Sequence, residues 1–92
     1  MKAKTKEERE HLELVSQLPC SVCNREGVHV HHLPRMGGRK NHFETIPLCP
    51  TCHVHGEYGV AVHQGRGAWE ARNGTEKEHL AKTLSLLKLL NR

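Results

Sequence analysis

Two Cys-x-x-Cys pairs enclose the stretch that decides the fold, residues 20–53, which reads CSVCNREGVHVHHLPRMGGRKNHFETIPLCPTCH. A pair at this spacing projects both sulfurs from one tight turn, so two pairs can complete a tetrahedral zinc site. The four cysteines of the pairs are all the cysteines of the chain: Cys20, Cys23, Cys49 and Cys52. We therefore predict that one structural Zn²⁺ binds these four residues and holds the segment between them in place.

The composition also points to stabilisation by a metal. The chain has 92 residues, of which 36% are hydrophobic and 3% aromatic, so it can build only a small core. Domains of this size commonly need disulfides, a metal or a partner to be stable. Two disulfides are the alternative use of the four cysteines. Zinc is favoured because residues 1–6 do not begin a signal peptide, and disulfides are typical of secreted proteins.

The same features predict where the protein resides. The chain has no long apolar run, so we predict no membrane span. Without a secretory signal, the expected location is the cytoplasm.

Basic residues suggest a polyanionic partner. The formal net charge is +4, which suits DNA, although a solvated basic surface is an equally good interpretation of charge alone. Residues 35–41 form a predicted loop with two adjacent glycines, suited to lying along a phosphate backbone. Four residues are therefore predicted to contact DNA phosphates: Arg35, Arg39, Lys40 and Arg66.

Helices are predicted at both ends of the chain. Residues 5–8 and 75–78 each read as a capping box, Thr-x-x-Glu, which starts a helix. The first helix should cover about residues 6–18 and end before Pro19, and the second, marked by periodic leucines, about residues 76–90. A brief helix over residues 67–72 should carry Trp69, which we interpret as a core anchor rather than a base-stacking platform.

Two strands are predicted between the cysteine pairs. Residues 28–33 are rich in β-branched side chains, and residues 43–48 form a second short run in which Pro47 restricts pairing to a sheet edge. A short helix should then start near Pro50 and carry Cys52, His53 and His55. The whole chain, residues 1–92, is thus predicted to be a single α+β domain with its core at about residues 18–78.

This order of elements resembles the ββα-metal, or HNH, endonuclease motif, in which strand, loop, strand and helix carry metal-binding and catalytic histidines. Three segments within residues 31–75 are most similar to one branch of that family, the RecA-dependent recombination enhancement nucleases of bacteriophages: HHLPR, FETIPLCPTCH and VHQGRGAWEARNGT. The resemblance implies a zinc-stabilised HNH domain with flanking helices that cleaves DNA in phage recombination or DNA processing. It also implies RecA filaments as a partner.

The resemblance further implies a role for individual histidines. His31, His53 and His63 would bind a catalytic divalent ion, Mg²⁺ or Mn²⁺, and His32 would be the general base that takes a proton from water. The competing interpretation gives His31 and His32 a structural or zinc-capping role. In that interpretation His53 and His63 are surface residues. His29 has no assigned role.

Other residues around the site are predicted less specifically. Either Asn41 or Glu44 would take the place of the family's central asparagine and brace the loop. Of the other four histidines, His55 is read as either a spare ligand or a solvent-exposed residue. The remaining three are interpreted as surface residues: His11, His42 and His79.

The two adjacent histidines raise a geometric question. Strict alternation in a strand places His32 on one face with Val28 and Val30 and His31 on the other, so a base at His32 would be buried. Pro34 restricts the residue before it to extended conformations. We therefore predict that strand pairing ends near His31, so that His32 can turn toward the metal.

A protein of another class is the main alternative to a nuclease. A zinc-knuckle module could bind nucleic acid or protein without cleaving it, and a catalytically inactive phage accessory protein is a third reading. Adjacent imidazoles beside a histidine-bearing helix favour the nuclease, because a pure binder does not need them. The sequence leaves the form of the DNA substrate, the catalytic ion and the oligomeric state open.

Overall fold

The computed structural model describes residues 3–34 and 41–90 of the chain. Within these residues it contains a two-stranded sheet and three α-helices, so the α+β class is confirmed: α1 Lys6–Ser16, β1 His29–His32, β2 Thr45–Leu48, α2 Arg66–Asn73 and α3 Glu76–Leu90. A π-helical turn, Thr51–His55, and a 3-10 turn, Val62–Gln64, lie between β2 and α2.

Both terminal helices start at the predicted capping boxes. The backbone N–H of Glu8 donates to Thr5 Oγ1 at 3.1 Å, and the carboxylate of Glu8 accepts from the Thr5 N–H at 2.7 Å. Thr75 and Glu78 make the same pair of bonds, 3.1 and 2.8 Å long, at the start of α3. None of the helices in the described part of the chain is long and apolar enough to cross a membrane.

The register of the sheet decides which side chains share a face. β1 and β2 are antiparallel, and His29 lies opposite Leu48 while His31 lies opposite Ile46. Residues directly opposite in an antiparallel pair point to the same face. These four residues therefore form one face, which we call the metal face, and Val30, His32, Thr45 and Pro47 form the other.

β1 ends at His32, close to the predicted end, but the prediction that His32 turns out of the sheet is wrong. His32 pairs with Thr45 within the sheet, and the Leu33 N–H donates to the Glu44 carbonyl at 3.0 Å. Pro34 favours an extended Leu33, and an extended residue is compatible with pairing, so the ladder continues to the proline. His32 consequently stays on the face opposite to His31.

A small apolar cluster covers each face of the sheet. On the metal face, Ile46 and Leu48 pack with Val62, Trp69 and the buried cysteines. On the other face, Val30 packs against a cluster formed by Val15, Leu18 and Leu87. Trp69 is fully buried, which confirms that it anchors the core.

The buried stripe of α3 differs from the predicted leucine stripe. Its buried residues are Glu76, His79, Thr83 and Leu87, whereas Leu84 and Leu90 are exposed. The surface assignment of His79 is therefore wrong. Its Nδ1 lies 2.5 Å from Ser21 Oγ and its Nε2 lies 2.7 Å from the Asn73 carbonyl oxygen. These bonds satisfy the imidazole inside the protein and join α3 to the first cysteine pair.

A buried leucine in β2 and an exposed leucine in α3 predict different effects of the same substitution on stability. Leu48 is fully buried and Leu89 is 62% exposed, so the same Leu→Ala change removes core packing at only one of them. We expect Leu48→Ala to lower the free energy of unfolding by about 2–5 kcal/mol. Leu89→Ala should stay within about 0.5 kcal/mol of the parent. Urea denaturation at constant saturating zinc measures both, and equal losses would contradict this core.

Candidate metal centres

The four cysteines come together as their spacing predicts. Cys20 and Cys23 lie in a tight turn in which the Cys20 N–H donates to the Arg25 carbonyl at 2.9 Å. Cys49 follows β2, and Cys52 lies on the π-helical turn after it. All four sulfurs lie within 4.8 Å of one another, and those of Cys23 and Cys49 are 3.6 Å apart. None of the four is in a disulfide.

This cysteine cluster has the chemistry of a closed tetrahedral metal site. Sulfurs bound to zinc at about 2.3 Å lie about 3.8 Å apart, close to the spacing found here. Burial, together with the neighbouring thiols, raises the pKa values of Cys23 and Cys52. At Cys20, burial acts in the same direction but backbone N–H groups outweigh it and lower the pKa to about 7. Four thiols so close together cannot all ionise without a cation, so the cluster could hold a metal ion such as zinc.

A second group of ligands is formed by three histidines. His31 comes from β1, His53 from the π-helical turn and His63 from the 3-10 turn, and one nitrogen of each lies within 4.8 Å of the others. The Nε2 atoms of His53 and His63 are 3.1 Å apart. Nitrogens that share a metal at about 2.1 Å lie about 3.0–3.4 Å apart, depending on the coordination geometry. The histidine cluster therefore has the dimensions of a metal site.

The surroundings of His53 and His63 favour neutral imidazoles. Burial, reinforced by the charges of His31, His63 and His29, lowers the pKa of His53 to about 4. Burial also lowers the pKa of His63, with His31 and Arg66 acting in the same direction. A neutral imidazole offers a lone pair to a metal, whereas a protonated one does not.

The donor set of the histidine cluster restricts the kind of ion. Among the described residues, no carboxylate belongs to the group of mutually close ligand atoms. Imidazole suits transition metals, whereas Mg²⁺ prefers oxygen ligands and retains several waters. By the usual order of affinities, Zn²⁺, Cu²⁺, Ni²⁺ and Fe²⁺ would bind three imidazoles more tightly than Mn²⁺ does.

The structure places His32 apart from the three clustered histidines. Its Nε2 lies 2.9 Å from His42 Nδ1, on the face opposite to His31. His42 is half-buried, so its assignment to the surface is wrong. Asn41 Oδ1 accepts from the Phe43 N–H at 2.9 Å, which is a local turn contact, whereas the side chain that contacts His32 belongs to His42. His11 is also half-buried, and its ring packs edge-on against Phe43.

His29, which had no assigned role, contacts the histidine cluster. It lies on the metal face, and its Nδ1 is 2.9 Å from His53 Nδ1. A hydrogen bond between these atoms would orient the His53 ring with its Nε2 toward His63. Strand alternation alone places His29 and His31 on one face. The sequence could therefore have indicated that His29 lies near the histidine cluster.

A buried carboxylate completes the surroundings of His31. The Nε2 of His31 is 2.6 Å from Glu76 Oε2, and the other oxygen of Glu76 accepts from Arg66 Nε at 2.6 Å. Burial opposes ionisation of Glu76, but the His31 hydrogen bond and the Arg66 charge outweigh it and lower the pKa of the carboxyl. Glu76 is the first residue of α3, where an acidic side chain is ordinary, so the sequence carried no sign of this contact.

The predicted phosphate-binding residues fall into two groups. Arg66 is described, and its guanidinium pairs with Glu76. The other three, Arg35, Arg39 and Lys40, lie outside the described residues.

The fold and the two clusters define a small α+β domain with two candidate metal centres. The chain belongs to the DUF968 family, a protein family of unknown function whose model matches residues 1–88. No curated protein matches the chain.

The cysteine cluster yields a test by substitution. Cys49 is buried among the other thiols, so Cys49→Ser should remove tight metal binding and much of the folded structure. Ser85→Cys, on an exposed part of α3, is a control that alters the thiol count outside the cluster. We expect elemental analysis and circular dichroism to report loss of one bound metal and of structure in Cys49→Ser alone. A Cys49→Ser protein with unchanged metal content and fold would disprove the cluster.

Proposed function

We propose that this protein is a metal-dependent DNA endonuclease of the HNH class that hydrolyses phosphodiester bonds. The observation that carries the proposal is the convergence of His31, His53 and His63 within 4.8 Å, beside but separate from the cysteine cluster. A closed cysteine site supplies structure, while a three-histidine site leaves coordination positions for water or substrate. A small domain with one closed metal site for structure and one open metal site for chemistry has the organisation of a metalloenzyme.

The alternative is a zinc-knuckle module that binds nucleic acid or protein without chemistry. Such a module needs the cysteine cluster to fold and a surface to bind its partner. The three converging imidazoles would then have no use. The histidine cluster therefore favours a nuclease over a binding module.

The chemistry divides between an ion and the side chains. A divalent ion at the histidine cluster supplies Lewis-acid stabilisation of the charge that develops on the phosphate. We assign His32 as the general base, as the resemblance to HNH nucleases implies. A hydrogen bond from His32 Nε2–H to His42 Nδ1, 2.9 Å away, would hold the tautomer in which Nδ1 is the basic nitrogen.

The position of His32 sets a requirement on the substrate. His32 is the last residue of β1 and lies on the face opposite to His31. A phosphodiester must then lie across the end of the strand to reach both side chains. His29 is the competing base, because it is exposed and lies on the metal face beside His53.

Two metals with different functions should be separable by chelation. We expect a weak chelator to stop DNA cleavage without change in the circular dichroism spectrum, because the histidine cluster is more open than the cysteine cluster. Added Mn²⁺ should restore cleavage better than Mg²⁺, given the imidazole ligands. Loss of activity and of structure at the same chelator concentration would contradict two separate centres.

Single substitutions test the roles of the histidines. His32→Ala should lower the cleavage rate by about two to four orders of magnitude with little effect on Mn²⁺ affinity. His31→Ala should weaken Mn²⁺ binding and recover some activity with excess metal. His55→Ala is a matched control, since His55 is exposed and outside both clusters. If His29→Ala, and not His32→Ala, shows the large rate loss at unchanged affinity, His29 is the base.

The substrate and partner need a separate assay. Single-stranded, duplex, nicked and branched DNA, each with and without RecA filaments, should be incubated with the zinc-loaded protein and Mn²⁺. Cleavage of at least one form, abolished in His53→Ala, supports the nuclease. A requirement for RecA would support a function in recombination. Binding of these DNAs without cleavage under every condition would instead support the non-catalytic module.

A further inference from the structure

We propose that Glu76 is a positioning residue that holds His31 in the orientation needed to bind the catalytic ion. The inference rests on the proposed function, in that it takes the histidine cluster to be a metal site. It adds to that site a residue from α3, which is separated from His31 by 45 positions in the chain.

The carboxylate of Glu76 is held rigidly. It is 4% exposed, and its two oxygens accept from different groups at 2.6 Å, one from His31 and one from Arg66. A carboxylate bonded in this way cannot rotate without breaking a charge-assisted hydrogen bond. The side chain therefore offers His31 an acceptor in one fixed place.

That fixed acceptor determines which nitrogen of His31 faces the cluster. When His31 Nε2 carries the proton and donates it to Glu76, Nδ1 is left with the lone pair. Nδ1 is then the atom available to a metal shared with His53 and His63. Metal-binding histidines commonly donate their other ring N–H to a carboxylate, and loss of that carboxylate weakens metal binding.

The backbone around Glu76 anchors it to two helices. Its N–H donates to the carboxylate of Glu70, in α2, at 2.8 Å. The capping box of Thr75 and Glu78 fixes the start of α3 at the same point. The positions of α2 and α3 therefore set the position of the Glu76 carboxylate, and through it that of the His31 ring.

A purely structural ion pair would have different consequences. Buried ion pairs add little net stability compared with apolar residues, and removing one partner destabilises the fold wherever it lies. A positioning residue also changes the affinity of the ion and the tautomer of the histidine in protein that remains folded. The ion affinity and the histidine tautomer therefore distinguish a positioning residue from a purely structural ion pair.

The experiment compares Glu76→Gln and Glu76→Ala with Glu78→Gln in protein loaded with one zinc. Glu78 lies two residues along the same first helical turn but is exposed, and glutamine also serves in a capping box, so Glu78→Gln removes a nearby charge while keeping the helix cap and His31 in place. Mn²⁺ affinity is measured by isothermal titration calorimetry. The His31 tautomer is read from two-bond ¹H–¹⁵N NMR spectra of the same samples without Mn²⁺, and circular dichroism reports the fold.

We expect Glu76→Ala to weaken Mn²⁺ binding about 10–100-fold and to lose the single Nε2–H tautomer of His31. Glu76→Gln retains an amide oxygen that accepts from His31, so it should lose less affinity and keep the tautomer. It also preserves the test if Glu76→Ala does not fold. Glu78→Gln should match the parent in both measurements.

Two outcomes would overturn the proposal. If the folded Glu76 variants bind Mn²⁺ as tightly as the parent, or His31 keeps its tautomer in folded Glu76→Ala, Glu76 does not position His31 although the metal site stands. If the parent itself binds no divalent ion beyond its zinc, the histidine site and the positioning function both fail. Binding and tautomer are read without DNA, so an absence of cleavage would not affect either result.

Discussion

The pairing of β1 with β2 is the interaction on which both candidate metal centres depend. It sets His29 and His31 on one face, opposite Leu48 and Ile46. It also places Cys49, directly after β2, near the first cysteine pair, because the Ser21 N–H donates to the Pro47 carbonyl at 2.9 Å. A slip of one residue in this register would turn His31 toward α1 and break the histidine cluster.

Little apolar packing supports this pairing, so polar contacts must contribute. Each face of the sheet has only a small apolar cluster. The turn that carries the first cysteines is joined to α3 through Ser21, whose hydroxyl meets His79 and whose carbonyl accepts from Lys82 at 3.0 Å. Metal binding by the cysteines would add folding free energy that the small core does not provide.

The sequence predicted the parts of this structure that have local signals. Capping boxes located the starts of α1 and α3, and the Cys-x-x-Cys spacing identified the cysteine cluster. The grouping of His31, His53 and His63 came from the resemblance to HNH nucleases, and the structure brings the same three residues together. Their function in metal binding and cleavage stays a prediction.

Prediction from the sequence failed for side chains whose contact partners are distant along the chain. Leucines suggested the buried stripe of α3, but Glu76 and His79 lie in it because they contact His31 and Ser21, which are 45 and 58 positions away in the chain. His42 was misplaced for a related reason, since its contact with His32 depends on how the strands pair. The inference that Pro34 ends β1 treated a restriction on conformation as a restriction on hydrogen bonding.

We infer that this domain has two metal centres, one of four sulfurs and one of three imidazoles. Anomalous X-ray diffraction tests it most directly, with crystals of the zinc-loaded protein soaked in Mn²⁺ and data collected at the zinc and manganese absorption edges. The account predicts a zinc peak among the sulfurs of Cys20, Cys23, Cys49 and Cys52, and a manganese peak among His31, His53 and His63. A single peak at the cysteines, with no manganese at the histidines, would contradict it.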